Sequence, residues 1–455
     1  MDENKMGSAP MTKLIISMSL PAMFSMFIQA LYNIVDGIFV ASLGGGSNSD
    51  AFNAVSLALP VQMLLIAFAV GTGIGLNSLI SRKLGEKDFK KANLAATNGL
   101  FVAVVLWVIF AVFGFIFSNP FIKMFSADEN VIRYGTEYLQ IITVFSIGMF
   151  VHVAFEKTLQ ATGNMLYPML FQLFGAITNI ILDPILIFGL FGFPALEVKG
   201  AAIATVIGQL VAFSFSSYVV FTKQHGVKVT LKGFKPNIGI IKEIFKVGFP
   251  AIVMQSITSV LIVGINRILG SYSDDAIFVV GTYSKLQNFI FMPVFGLMQG
   301  MMPIMGYNYG ARNKQRLTNC FKIGTLIALT IMTVGTVLFM VFPEALLRVF
   351  NATPSAMEMG VPALRIISVC FPVAAAGIAG STFFQAIGKG VISLIISILR
   401  QLVIILPAVY FFAKYIGVWA SWFAFPLSET FAFVVSVAWM IKIYKNDFKV
   451  YFDGE

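Results

Sequence analysis

Four oxygen-bearing side chains of the first half of the chain lie inside long apolar stretches: Asp36, Asn179, Asp183 and Thr205. An ionised carboxylate is costly in an apolar environment, so a buried acid is by default a candidate for function. Two carboxylates that share one such place repel each other and resist ionisation. They would then hold a shared proton or a bound cation. These residue types therefore predict a coupling site for H+ or Na+.

The predicted positions of these residues in their helices bring them to one depth. Asp36 lies about seven residues before the outer end of the first predicted helix, and Asp183 about six before the outer end of the fifth. Thr205 follows the outer start of the sixth by about six residues. At 1.5 Å per residue, all three lie roughly 9–10 Å below the outer surface. Asn179 shares the face of Asp183, one helical turn deeper.

Further polar side chains in apolar stretches are candidates for a substrate pathway: Gln29, Asn33, Gln62, Glu156, Gln287 and Glu429. Gln29 and Asn33 extend the face of Asp36. For the two other glutamines, hydrogen bonding between helices is the alternative explanation. Glu156 lies near the cytoplasmic end of its helix on one face with His152 and Gln160, and snorkelling to the interface is its alternative.

The second half carries a different set of charged residues near the middle of its helices. Glu429 is expected to need a cationic partner in the membrane, and Lys285 or Arg400 would supply it. A structural ion pair and a role in substrate binding both remain open. The seventh and tenth predicted helices contain no acidic residue.

Several classes of function are disfavoured by composition. The two cysteines and two histidines form no cluster with the spacing of metal ligands. No phosphate-binding Gly-Lys-Ser/Thr loop is present, so ATP is not the expected energy source. No nucleophile, base and metal set converges, so we expect no enzyme and no cofactor other than the coupling ion.

The elements that must position these residues are membrane-spanning helices. The 455 residues are 58% hydrophobic and only 11% charged, with a mean hydropathy of +0.87. Apolar runs of roughly 20 residues match the bilayer core, where a helix satisfies its own backbone polar groups. We therefore predict an all-α membrane protein with twelve spans, at about 14–43, 54–81, 93–118, 135–158, 165–189, 199–222, 246–270, 277–305, 318–342, 360–385, 391–412 and 417–441.

The distribution of lysine and arginine predicts the orientation. With the N-terminus inside, 22 of the 31 basic residues fall in cytoplasmic segments, five in outer segments and four within spans. Cytoplasmic loops collect basic residues, so both termini are expected in the cytoplasm. This bias also accounts for the net charge of +10 without a nucleic-acid partner.

An internal repeat divides the chain. At a shift of 225 residues, several glycines and glutamines recur, among them Gln62 with Gln287 and Gly75 with Gly300. The first span aligns at a shift of 229, through Pro21 and Pro250. Two halves of six spans enter the membrane from the same side, which gives parallel, pseudo-symmetric repeats. The predicted division is an N-lobe at 1–222, a cytoplasmic linker at 223–245 and a C-lobe at 246–455.

Several motifs in this framework resemble those of the multidrug and toxic compound extrusion (MATE) family. The resemblance covers all twelve spans and is carried by Pro21 and by the stretches 85–88, 310–313, 160–164, 179–184 and 200–205. It implies a V-shaped pair of six-helix lobes in a bacterial or archaeal inner membrane. One branch of the family has a matching first-lobe cluster of Asp, Asn, Asp and Thr. The acids of another branch, in the seventh and tenth spans, are missing here.

The resemblance implies a drug antiporter that exports mostly cationic amphiphiles in exchange for H+ or Na+ by alternating access. The expected partners are small organic cations and the lipid bilayer, and we expect a monomer. Ion binding would change the bend of the first span near Pro21, the predicted hinge. The alternative is a flippase for a lipid-linked precursor, because Lys285 and Arg400 would suit a pyrophosphate.

Overall fold

A computed structural model describes residues 4–42 and 50–453. Within these ranges it leaves undescribed the side chains of 33–34, 36–38, 40–42, 447, 449 and 453. Every regular element in the described ranges is helical. The helices are α1 (Lys5–Ser8), α2 (Met11–Ser42), α3 (Asp50–Gly85), α4 (Phe89–Lys123), α5 (Glu129–Val144), α6 (Ile147–Ala161), α7 (Leu166–Phe188), α8 (Glu197–Thr222), α9 (Ile238–Gly270), α10 (Asp274–Gly310), α11 (Lys314–Val341), α12 (Pro343–Arg348), α13 (Pro354–Ser368), α14 (Phe371–Ala386), α15 (Gly390–Ile398), α16 (Leu406–Tyr415) and α17 (Ala424–Phe448).

Ten of the described helices are long and apolar enough to cross a membrane, and two bent pairs bring the number to twelve. Each coincides with one of the twelve spans predicted from the sequence. The pairs are α5 with α6, bent by 42°, and α13 with α14, bent by 49°. They are the fourth span of each half, which confirms the predicted helix count.

The two bends have a local cause that recurs in both halves. At the first, the hydroxyl of Thr143 donates to the carbonyl of Leu139, and Ser146 donates to Thr143 at 2.7 Å. At the second, Ser368 donates to the carbonyl of Arg365 at 3.0 Å. Side-chain hydroxyls that bond to backbone carbonyls of the preceding turn bend helices.

A tight turn between the second and third spans of each half also recurs. Lys87 and Arg312 both have a left-handed backbone, with φ of 59° and 55°. The next residue caps the following helix: Asp88 accepts from the backbone N–H of Lys91, and Asn313 from that of Arg316, each at 3.0 Å. The hydrogen bond from Lys91 lowers the pKa of Asp88. The repeat read from the sequence is therefore also a repeat of local structure.

The chain packs as two compact units whose boundaries fall inside helices. One unit comprises Met1–Met23 and Val253–Glu455, and the other comprises Phe24–Ile252. The first part of α2 thus packs with the second-half helices, and the first part of α9 with the first-half helices. The predicted lobes at 1–222 and 246–455 describe the sequence repeat and stay a prediction.

Glycines of α3 and α10 provide the close contacts that create this exchange. In the unit Phe24–Ile252, a Cβ on Gly71 would lie 2.6 Å from the backbone nitrogen of Ile252. In the other unit, a Cβ on Gly296 would lie 2.7 Å from the backbone nitrogen of Met23. The two glycines are 225 residues apart and their partners 229, so these contacts follow the sequence repeat.

The segment before α9, within the predicted cytoplasmic linker, is held along the start of α4. Side chains of α4 accept hydrogen bonds from its backbone: Asn93 from Lys228 at 2.7 Å and Thr97 from Thr230 at 3.2 Å. Asn98 accepts from the N–H of Asn237 at 2.8 Å. This linker is therefore docked on α4 through three backbone positions, while most of its side chains remain exposed.

Candidate functional site

Asp183, Asn179 and Thr205 meet inside the unit Phe24–Ile252. All three are buried, with exposures of 0, 2 and 4%. The side-chain nitrogen of Asn179 donates to Oδ1 of Asp183 at 3.2 Å and lies 3.4 Å from Oγ1 of Thr205. Asn179 and Asp183 lie on adjacent turns of α7, and Thr205 lies on α8. The arrangement gathers a carboxylate, an amide and a hydroxyl, which are oxygen ligands that hard cations accept.

Small residues explain why α7 and α8 approach closely enough for these side chains to touch. A Cβ on Gly208 would lie 2.7 Å from the carbonyl oxygen of Gly175 and 3.2 Å from the Cβ of Asn179. Nearer the other end of the pair, a Cβ on Gly200 would lie 2.5 Å from the carbonyl oxygen of Leu186. Gly175 and Gly208 were not predicted from the sequence to belong to the site, although each lies one helical turn from a predicted site residue.

A second polar cluster lies on α6. Glu156 and Lys157 are both nearly buried, and Nζ of Lys157 lies 3.0 Å from Oε1 of Glu156. Gln160 donates to the same carboxylate at 2.8 Å and accepts from Lys157 at 3.0 Å. Nε2 of His152 lies 3.7 Å from Oε2 of Glu156. Glu156 therefore does not snorkel outward, because its charge is met inside the unit.

Room for the lysine of this cluster is made on the neighbouring helix. A Cβ on Gly73 of α3 would lie 2.7 Å from Cγ of Lys157. The ring of His152 packs edge-on against Phe171 of α7, with centroids 6.0 Å apart. The cluster is thus enclosed by α3 and α7, and its charges are matched by side chains of one helix.

Glu429 forms an ion pair within its own unit, the one that comprises Met1–Met23 and Val253–Glu455. Nη1 of Arg400 lies 3.0 Å from Oε1 and 3.4 Å from Oε2 of Glu429, so Arg400 rather than Lys285 makes the ion pair. Arg400 belongs to a π-helical segment, Leu399–Ile405, between α15 and α16. In the same segment, buried Gln401 accepts from Thr258 of α9 at 3.3 Å. π-helical turns are rare and frequently lie at functional sites.

Comparison with protein families decides the identity of this architecture. A family model described as MatE matches residues 21–185 and 250–411, which is well over half of the chain. The chain belongs to the MATE family. The model matches twice, and the two matches begin at Pro21 and Pro250, the prolines that aligned the first spans of the two halves.

Similar MATE proteins are known from sequence and from structure. The chain is 28% identical to the multidrug export protein MepA of Staphylococcus haemolyticus, over 92% of this chain and 90% of that protein. It is 25% identical to the FAD transporter of Shewanella oneidensis, over 89% of each chain. A solved structure described as the outward-facing conformation of a multidrug resistance MATE family transporter of the MOP superfamily aligns with a TM-score of 0.90, at 27% identity over 98% of both chains.

Membership in the MATE family makes the chain a multi-pass membrane transporter and not an enzyme. Among the described residues, no group of three or more His, Cys, Asp or Glu side chains is placed to hold a metal ion. The candidate coupling residues differ from such a group, because only one of the described three is an acid.

The remaining predicted residues of this MATE transporter are less tightly placed. The side chains of Asp36 and Asn33 lie outside the described part of the structure. Gln29 is half-buried on α2, and Pro21 lies inside the same helix, two residues before the unit boundary. The hinge at Pro21 stays a prediction.

The repeated glutamines have different surroundings. Gln62 accepts a long hydrogen bond from the hydroxyl of Tyr138 at 3.4 Å, which fits the alternative of bonding between helices. Gln287 is half-buried on α10. Lys285, the other predicted partner of Glu429, is exposed, and its Nζ lies 5.7 Å from the centroid of the Phe350 ring.

Proposed function

We propose that this MATE protein is a secondary active multidrug antiporter. It exports cationic and amphiphilic organic compounds in exchange for H+ or Na+ by alternating access. One observation carries the proposal: a carboxylate, Asp183, is fully buried in a membrane span and accepts a hydrogen bond from Asn179, whose amide also lies beside the hydroxyl of Thr205. The multidrug export protein of Staphylococcus haemolyticus, similar along its length, supports the class of substrate.

The proposed coupling step is the gain and loss of a positive ion at this cluster. An ionised Asp183 in a lipid-surrounded helix is costly, and a proton or a cation removes that cost. Oδ1 of Asn179 is buried and accepts no hydrogen bond from the described residues. Rotation of this amide would turn its oxygen toward a bound Na+, beside Asp183 and Thr205. Asp36 is proposed as the second carboxylate from its sequence depth.

Substrate is proposed to move along the polar residues Gln29, Asn33, Gln62, Glu156, Gln287 and Glu429. The two acids of this set are each paired with a basic side chain, Glu156 with Lys157 and Glu429 with Arg400. A cationic substrate that approaches either carboxylate competes with the resident cation. Binding of substrate would therefore loosen these pairs, and the change in helix packing accompanies alternating access.

The alternative is transport of an anionic compound, such as a lipid-linked pyrophosphate. A cavity for a pyrophosphate needs several uncompensated cations. The charge of Arg400 is matched by Glu429 at 3.0 Å, which leaves less positive charge than that function requires. FAD, the compound named for the Shewanella oneidensis relative, also carries a pyrophosphate and belongs to the same alternative.

The proposed setting is a bacterial or archaeal inner membrane, with both termini in the cytoplasm. Basic residues collect in the loops on that side. The transporter is proposed to act as a monomer. We propose that α2 bends at Pro21 in response to the ion at Asp36 and Asp183.

The deciding experiment uses purified protein in vesicles loaded with an ethidium-like dye, with a pH gradient and a Na+ gradient imposed separately. We expect dye movement driven by one of the gradients. Asp36→Asn and Asp183→Asn should each abolish gradient-driven transport, while Thr205→Ser keeps more activity than Thr205→Val. Glu344→Gln, which changes an exposed acid of α12, is the control and should transport like the parent.

Two results would overturn the proposal. If Asp36→Asn and Asp183→Asn both transport as the parent does, the coupling site is elsewhere. If a lipid-linked pyrophosphate or FAD moves and the dye does not, the protein transports anions and the alternative holds.

A further inference from the structure

A groove lies between the end of α4 and the first turns of α5, within the unit Phe24–Ile252. Its volume is about 550 Å³. Asn119 and Lys123 come from α4, and the other polar residues lie on one stripe of α5: Glu129, Arg133, Thr136 and Glu137. Positions three, four, seven and eight residues apart share one face of a helix. The α4–α5 groove is thus a polar seam between two adjacent spans, and the proposed coupling cluster lies outside it.

The charges of the α4–α5 groove are balanced but not paired. Lys123 and Arg133 supply two cations, and Glu129 and Glu137 supply two carboxylates. None of the ion pairs found within 4.0 Å in the described residues joins any of these four. Four charged side chains of both signs that do not satisfy one another leave their binding capacity to a ligand. A ligand that carries one positive and one negative group fits such a site better than an ion of either sign.

Neighbouring side chains orient two polar residues of the groove, Arg133 on α5 and Asn119 on α4. The guanidinium of Arg133 lies 4.8 Å from the centroid of the Tyr134 ring. The hydroxyl of Tyr134 in turn donates to Glu197 at the start of α8. Nδ2 of Asn119 lies 3.4 Å from Oγ1 of Thr136 across the groove. The guanidinium of Arg133 therefore lies beside Tyr134, and the ring of Tyr134 is itself held by its hydrogen bond to Glu197.

The surroundings of the α4–α5 groove place it at the level of lipid headgroups. The last turns of α4 expose large apolar side chains beside it: Phe115 and Ile116 are 70 and 55% exposed, and Met124 and Phe125 are 78 and 60% exposed. On a membrane-spanning helix such residues face acyl chains, while charged side chains at the helix end lie at the interface. A ligand in the groove therefore has lipid beside it.

We propose that the α4–α5 groove binds the headgroup of a zwitterionic phospholipid whose positive group is a primary ammonium. The phosphate lies against Lys123 and Arg133, and the ammonium donates to Glu129 and Glu137. Phosphate with Arg and Lys, and ammonium with carboxylate, are charge-assisted hydrogen bonds, the stronger class. The acyl chains run along the exposed apolar side chains of α4. Free phosphoethanolamine has the same headgroup chemistry without the chains.

The test measures lipid binding to the purified full-length protein by native mass spectrometry from delipidated micelles. Phosphatidylethanolamine, phosphatidylglycerol and phosphatidylcholine of equal chain length are compared, with free O-phosphoethanolamine as a separate arm. We expect phosphatidylethanolamine to bind at least about tenfold more tightly than the anionic lipid, which is about 1.4 kcal/mol. Phosphatidylcholine, which has no N–H donor, should be intermediate, and the free headgroup should bind far more weakly than the lipid.

Charge variants assign the binding to the groove. The double change Lys123→Gln with Arg133→Gln should remove the preference for phosphatidylethanolamine, and Glu129→Gln with Glu137→Gln should shift it toward phosphatidylglycerol. Glu344→Gln with Arg348→Gln, an exposed pair on α12, is the matched control and should keep the parent's preference. All these side chains are at the surface, and an unchanged melting temperature verifies folding.

The proposal is overturned if the three lipids bind equally, or if both groove variants keep the parent's preference. It is also overturned if free O-phosphoethanolamine binds as tightly as the lipid, since the ligand is then a soluble zwitterion. The outcome is independent of the antiport proposal, because binding is measured without a gradient or a dye.

Discussion

A Cβ built on Gly300 would lie 2.6 Å from the Cα of Ser19, so α10 and α2 touch through their backbones. The hydroxyl of Ser19 adds a hydrogen bond to the carbonyl of Leu297 at 3.2 Å. The same contact recurs in the other unit, where a Cβ on Gly75 would lie 2.8 Å from the backbone nitrogen of Gly248. Small residues let helices approach closely in membranes, where packing rather than hydrophobic burial drives association.

Replacing Gly300 by valine should destabilise the protein. The added side chain would overlap the backbone of α2, which has no rotamer to escape into, and overpacking costs about 1–3 kcal/mol in free energy of unfolding. The measurement is the melting temperature of the purified variant. Gly281→Val on the same helix is the control, because no atom lies within 4 Å of a Cβ at that glycine. Equal melting temperatures for the two variants would contradict the contact.

Breaking the ion pair between Arg400 and Glu429 should cost more with one change than with two. Arg400→Met leaves an unmatched acid and Glu429→Leu an unmatched base, each at a cost on the order of 2 kcal/mol in a partly buried site. The double variant removes both charges and should be closer to the parent in melting temperature. The exposed pair of Arg348 and Glu344, 3.5 Å apart, is the control. Single changes there should have little effect. Strictly additive losses at Arg400 and Glu429 would refute the coupling.

Removing the hydroxyl of Thr97 should loosen the docked linker. Thr97→Val keeps the shape but loses the acceptor for the N–H of Thr230, a change worth about 1–2 kcal/mol. The local opening of the linker should then rise roughly fivefold or more. Limited trypsin digestion, read as the rate of cleavage after Lys228 and Lys232, measures this opening. Thr97→Ser retains the acceptor and should be cleaved at the parent's rate. Equal cleavage rates for the Thr97→Val and Thr97→Ser variants would show that this hydrogen bond does not hold the linker.

The spans and the repeat were predictable because lipid leaves few alternatives. Within a bilayer an apolar run of sufficient length has to be a helix, and all twelve predicted spans were confirmed. The bends between α5 and α6 and between α13 and α14 were not predicted. They depend on hydrogen bonds from the hydroxyls of Thr143 and Ser368 to backbone carbonyls of the preceding turn. A hydropathy profile does not show whether such bonds form.

The side-chain sets were predictable only in part. The common depth of Asp183 and Thr205 followed from the rise per residue, and the position of Asn179 from its spacing of four residues from Asp183. That α7 and α8 turn these side chains toward each other depends on the close contact at Gly175 and Gly208, which depth does not predict. The partner of Glu429 could not be predicted from the sequence, since Lys285 and Arg400 lie on different helices and only the packing of those helices selects between them. For Glu156, proximity to the helix end suggested an outward side chain, whereas Gly73 makes room for Lys157 inside.

The exchange of helix segments between the two units sets the order in which the protein is completed during synthesis. The unit Phe24–Ile252 has all its residues once Ile252 has left the ribosome. Ser19, by contrast, is translated 278 residues before Leu297, whose carbonyl accepts the hydrogen bond from the Ser19 hydroxyl. The leading segment is therefore made first and reaches its permanent neighbours late. A ribosome that stops within the linker releases a chain in which neither unit has all its parts.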